Sequence, residues 1–156
     1  MKLLGLDVGD RRVGVAFGDA EVRIATPVDV VTRVSDDEDA RAIGKFVREY
    51  DVAQLIVGLP RNMDGTDGAQ AASVVTYAEK IARTVNLPAI FWDERLTTME
   101  AMRRTQEAGA PAQTLRLRSG HASRGLRRGK KSRRTLDAIA AAVILQDYMD
   151  AQGSRE

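Results

Sequence analysis

Cysteine is absent from this chain and histidine occurs once, at His121. The first absence excludes a disulfide scaffold and any thiolate metal site, and it suits a reducing compartment. The second leaves zinc, which recruits His or Cys, without its usual ligands. Aromatic residues make up only 4% of the sequence, so a core has to come from Val, Ile, Leu, Ala and Met, which the 44% hydrophobic content allows. Long apolar runs are also missing. The opening MKLLGLDVGD breaks at Asp7, too early for the apolar stretch and small-residue cleavage site of a signal peptide. Ala138 to Leu145 is the best apolar run, far short of the roughly 18 residues of a membrane helix. A cytoplasmic protein with no membrane partner is the expectation.

A length of 156 residues favours a single domain over 1–156, since two separate cores would be very small. Net charge is only +2, but it is unevenly spread. Arg116, Arg118, Arg124, Arg127, Arg128, Lys130, Lys131, Arg133 and Arg134 all fall between Ala108 and Leu136, where no acidic residue occurs. That leaves 15 of the 24 basic residues against all 22 acidic ones in the rest of the chain. A mildly acidic body with one concentrated basic segment suits a polyanionic partner.

Lys2 to Val8, Val13 to Phe17 and Val22 to Val31 read as three strands with short turns between them, an antiparallel meander. Ser35 with Glu38 three residues on predicts a capped helix start, with Ala42, Ile43, Phe46, Val47 and Tyr50 as its apolar stripe. Ala53 to Leu59 reads as a buried strand, Ala69 to Val85 as a helix and Pro88 to Asp93 as a last strand. A capping box at Thr97 and Glu100 predicts a helix ending near Gly109. Residues 110–133 lack hydrophobic periodicity and read as a mobile basic loop, and Thr135 to Ala151 reads as a final helix. A meander followed by alternating elements predicts an α/β protein with a mixed five-stranded sheet flanked by helices.

Three carboxylates stand out within this frame. Asp7 ends an apolar strand just before Val8-Gly9, where the plain alternative is a turn-forming Asp. Asp137 lies in LDAIAAAVIL with apolar neighbours three and four residues on. A first-turn Asp capped by Thr135 would satisfy the helix dipole there, but not explain an acid on an apolar face. A buried carboxylate is costly without a partner, and a divalent cation is one of the few available. Glu94 follows the strand PAIFWD, and pairing with Arg95 in solvent is its alternative. Strand ends and helix starts converge around ligand crevices in α/β sheets, so the three together could hold two hard cations, Mg2+ or Mn2+. Two ions of that kind activate a water and stabilise the leaving oxygen in phosphodiester hydrolysis.

The segments LDVGDRRVGVA, IVGLPRNMDGTDG, DERLTT and LDAIAAAVILQDY resemble, in order and across nearly the whole chain, the motifs of the YqgF/RuvX family. Members of that family are described as Holliday junction resolvases and as pre-16S rRNA nucleases with a ribonuclease-H-like fold. The resemblance implies that Asp7, Glu94 and Asp137 are catalytic carboxylates, that Mg2+ or Mn2+ is needed, and that the protein is cytoplasmic. Two features depart from the pattern: Asp10 stands where the family often has Thr or Ser, and the basic segment is longer than usual.

Arg61 and Asn62, in the glycine-rich loop after Pro60, are the candidates for substrate contact there, although Asp-Gly loops are often only turns. In the basic segment, Arg124, Arg127, Arg128, Lys130, Lys131, Arg133 and Arg134 are the expected clamp on a phosphate backbone. With no aromatic residue among them, base stacking is not the main mode of recognition. His121 could assist proton transfer, though a lone loop His is more often incidental. The leading reading is an endonuclease for branched DNA or precursor rRNA, and paired incision of a junction would call for a homodimer. A non-catalytic nucleic-acid-binding module of the same fold is the alternative. The sequence Asp7-Val8-Gly9 also resembles the phosphate loop of actin-like ATPases, but this chain is too short for their two lobes.

Overall fold

The computed structural model describes residues 1–60, 68–93 and 128–153. Its elements in chain order are β1 Lys2–Val8, β2 Arg12–Asp19, β3 Ile24–Thr32, α1 Asp36–Glu49, β4 Gln54–Leu59, α2 Gly68–Val85, β5 Ala89–Asp93 and α3 Arg128–Gly153. The strands form one five-stranded sheet in the order β3-β2-β1-β4-β5. The pairs β1–β2 and β2–β3 are antiparallel, while β4 runs parallel to β1 and β5 parallel to β4. The expected mixed sheet and opening meander are therefore present.

Alternation along β1 assigns its residues to two faces. Leu4, Leu6 and Val8 join one apolar cluster with Val13, Val15, Leu55 and Val57, roofed by Ile43 of α1 and by Val74, Tyr77, Ala78 and Ile81 of α2. Leu3 joins the opposite cluster with Ala16, Ile56 and Ala141, Ile144, Leu145 and Met149 of α3. A central strand buried on both faces is apolar at nearly every position, as β1 is. Pro27 sits in the edge strand β3, where a missing amide is tolerated, and the β2–β3 register shifts next to it.

Ser35 caps α1 as its sequence predicts, accepting from the Glu38 amide at 3.1 Å. The acidic residues Asp36 to Asp39 fill the first turn, the end favoured by the helix dipole. Asp39 also turns inward and is 2% exposed. Its carboxylate accepts from the Val34 amide at 3.0 Å and from the Tyr77 hydroxyl at 2.6 Å, joining α1 to α2. Burial, then the hydrogen bond to Asp39, push the Tyr77 hydroxyl far above the ordinary tyrosine range, so it remains a donor. The Arg33 guanidinium covers the Tyr77 ring at 4.0 Å.

One expectation needs correction. The final helix starts at Arg128, not Thr135, so residues 128–133 are helical where a loop was expected. Arg and Lys are good helix formers, and an extension beyond the core needs no apolar stripe. Residues 110–127, the helix expected over 97–109 and the loop after Pro60 lie outside the described residues. Among the described residues, no helix is long and apolar enough to cross a membrane.

Candidate active site

The α3 face of the sheet is built for close approach. A Cβ on Gly5 would lie 2.9 Å from the Leu145 Cβ and 3.0 Å from the Ala141 carbonyl oxygen. Gly14 is tighter still, because a Cβ there would run into the Asp137 carbonyl. Glycine at these positions lets the helix backbone rest on the strands, and its absence of a side chain is what the contact requires.

This contact brings two of the predicted carboxylates to one place. Asp7 follows Leu3 and Gly5 at two-residue spacing, so alternation puts it on the α3 face. Its register partner on β2 is Gly14, the residue over which the Asp137 backbone lies. One helical turn separates Asp137 from Ala141, just as two strand residues separate Asp7 from Gly5. Both acids thus stand at the C-terminal end of β1, on the same side of the sheet, and both are half-buried.

Asp137 differs from its expected setting in two respects. It lies in the third turn of α3, not the first, so neither the helix dipole nor a Thr135 cap accounts for it. Nor is it an unpartnered buried acid. Its Oδ2 accepts from Arg12 Nε at 2.6 Å, in a pair whose side chains are 35% and 30% exposed. Arg12 opens β2, two residues before Gly14 on the same face. The turn before it is closed by the Gly9 amide donating to the Arg12 carbonyl at 2.8 Å, with Asp10 exposed in between.

The other parallel strands reach the same level. Leu6 pairs with Val57 and Val57 with Phe91, so Asp7, Gly58 and Trp92 are each one residue further along. Trp92 packs on the α3 face, where its Nε1 donates to Asp147 Oδ2 at 2.7 Å and its ring meets Tyr148 edge-on at 5.5 Å. These contacts tie the end of β5 to α3. The C-terminal ends of β1, β4 and β5 therefore lie side by side at one edge of the sheet, where sheets of this class place ligands.

Of the remaining candidates, Glu94, Arg61, Asn62, His121, Arg124 and Arg127 lie outside the described residues. Arg128, Lys130, Lys131, Arg133 and Arg134 belong to the first two turns of α3, upstream of Asp137. Among the described residues, no group of three or more His, Cys, Asp or Glu side chains is placed to hold a metal ion. Sequence reasoning treated Arg12 as turn material and missed it. The available signal was glycine inside the strands, at Gly5 and Gly14, which marks a close backbone approach. Asp39 and Tyr77 were missed for lack of any local signal.

Solved structures share the architecture. RuvC of T. thermophilus, in complex with a Holliday junction substrate, superposes with a TM-score of 0.56 at 15% identity, covering 99% of this chain and 96% of that one. The fowlpox virus Holliday junction resolvase superposes with a TM-score of 0.50 at 12% identity, covering 97% and 99%. At these identities the likeness establishes the fold, which is ribonuclease-H-like. Sequence relatives are nearer. A protein of Caldanaerobacter subterraneus subsp. tengcongensis named "Putative pre-16S rRNA nuclease" is 39% identical over 97% of this chain and 98% of its own length. One of Anaeromyxobacter sp. with the same name is 40% identical with the same coverage. The family model described as RuvX, Holliday junction resolvase, matches residues 1–151, and the chain belongs to that family.

Proposed function

We propose that this protein is a divalent-metal-dependent endonuclease that hydrolyses phosphodiesters of structured nucleic acid, a four-way DNA junction or the 16S rRNA precursor. The observation that supports the reading is that the Asp137 backbone lies over Gly14, the register partner of Asp7, at the C-terminal end of β1. Glu94, which directly follows Asp93 at the end of β5, supplies the third carboxylate. These are hard oxygen donors, suited to Mg2+ or Mn2+, and Asp137 already draws a cation, the Arg12 guanidinium. Bound there, two such ions would supply an activated water and charge for the leaving oxygen.

The chain's own residues have separate tasks. Asp7 is carried by its strand and Asp137 by the packed helix, so the backbone that bears each carboxylate is set before substrate arrives. Five cations open α3 with no acid in its first turn, the reverse of what the helix dipole favours. A phosphate backbone would offset that repulsion. Arg128, Lys130, Lys131, Arg133 and Arg134, with Arg124 and Arg127 before them, are the proposed backbone clamp, and Arg61 and Asn62 the contacts from the loop after Pro60. Paired incision of a symmetric junction would recruit a homodimer, whereas trimming an rRNA end would not. A cytoplasmic site of action follows from either substrate.

The test offers a four-way DNA junction and an rRNA precursor side by side with Mg2+ and Mn2+. Wild-type protein should cleave at least one, and Asp7→Asn or Asp137→Asn should abolish that cleavage while remaining folded. Undiminished cleavage by either variant would refute the site. Tight binding without cleavage under any divalent ion would favour the non-catalytic alternative.

A further inference from the structure

Arg12 sits where a positive charge is needed and stays within reach of solvent. Its Nε contacts Asp137 Oδ2 at 2.6 Å, yet both side chains are about one-third exposed. A guanidinium has five N–H donors, and this contact uses one. It approaches from β2, on the same face as Asp7's register partner Gly14. Solvent screens a pair that is one-third exposed, and a divalent cation carries twice the charge of a guanidinium, so a cation drawn by Asp7 and Asp137 together would compete for Asp137.

We propose that Arg12 is a displaceable counter-ion: it occupies Asp137 in the metal-free protein and, once a divalent cation takes that carboxylate, turns to a non-bridging phosphate oxygen of the substrate. The first state offsets the negative charge that Asp137 adds to the face carrying Asp7, whose register partner Gly14 lies under the Asp137 backbone. The second uses the planar fork that makes arginine suited to phosphate. No bond is made or broken in the exchange. The opposing view is that Arg12 stays and orients Asp137 for the metal, and the two predict opposite signs.

The inference rests on the metal site proposed above, and the experiment separates the two. Mn2+ is titrated by calorimetry into wild-type protein, Arg12→Ala, Arg12→Gln, Arg12→Lys and Asp137→Asn, each checked for folding by circular dichroism. Arg12→Ala and Arg12→Gln, which remove the competing charge, should bind Mn2+ about three- to tenfold more tightly. Arg12→Lys keeps the charge and should stay within about twofold of wild type. At saturating Mn2+, single-turnover cleavage by Arg12→Ala should nevertheless fall by about tenfold or more. Unchanged or weaker Mn2+ binding in Arg12→Ala and Arg12→Gln would overturn the counter-ion role. Tighter Mn2+ with unaltered cleavage would overturn the transfer to phosphate. Wild-type-like Mn2+ binding by Asp137→Asn would instead sink the metal site itself.

Discussion

The two faces of the sheet are packed by different means. On the α1–α2 face, branched aliphatic side chains fill a continuous cluster, and its buried acid, Asp39, is satisfied by Val34 and Tyr77. On the α3 face a smaller cluster of Leu3, Ile56, Ile144, Leu145 and Met149 is joined by glycines that let helix backbone close on the strands, and polar groups tie the layers: Arg12 with Asp137, Trp92 with Asp147, and the Ala25 amide donating to Gln146 Oε1 at 2.9 Å. The first face holds the larger apolar cluster. The second sacrifices side-chain volume so that a helix carrying an acid can lie against a strand carrying another. The proposed chemistry thus falls on the α3 side of the sheet, opposite the larger cluster.

Substitutions should separate these roles. Asp7→Asn and Glu94→Gln should have the largest effect, lowering cleavage on the order of a thousandfold, since a bound metal ion supplies several kcal/mol of charge stabilisation. Thermal unfolding should barely move. Gly14→Ala should strike both properties, because the new methyl group must push the Asp137 backbone away. A cost of about 1–3 kcal/mol is expected in denaturant unfolding, with cleavage down about a hundredfold from misplacement of the carboxylate. Tyr77→Phe should do the reverse of Asp7→Asn: about 1–3 kcal/mol of stability lost as Asp39 loses a buried donor, with cleavage per folded molecule unchanged. Trp92→Phe should be mildest, about 1 kcal/mol for one hydrogen bond, with a small loss of cleavage from a looser β5 end.

Tyr77 gives the comparison a pH dependence. Its pKa is raised in the folded protein, so above about pH 10 the unfolded chain loses this proton while the folded one retains it. Unfolding then releases a proton, and the stabilisation, complete below that pH, is lost as pH rises further. Urea unfolding between about pH 9 and 11 should show a steeper alkaline decline in wild type than in Tyr77→Phe. Equal slopes would mean that Tyr77 is not the buried donor.

The order of strands and the meander were legible because β1, β4 and β5 are short apolar runs set off by turn residues, and Ser35 announces α1. Asp7 stands out in the sequence as a polar end to an apolar strand. The setting of Asp137 was legible only in part: its helix begins earlier, and its partner Arg12 stands 125 residues away in sequence. Cross-chain pairings of that kind leave no local pattern. Asp39 was hidden inside a run of acids that capping alone would explain, and only the packing of α2 distinguishes it from its exposed neighbours Asp37 and Glu38.

The central claim is that acids from β1 and α3 share a divalent cation. Its most direct test is the change in Tm that Mn2+ produces in wild-type protein and in Asp7→Asn, since a ligand that binds only the folded state raises the melting temperature. A clear rise in wild type that is lost in Asp7→Asn is the predicted result. The same rise in both proteins would contradict it.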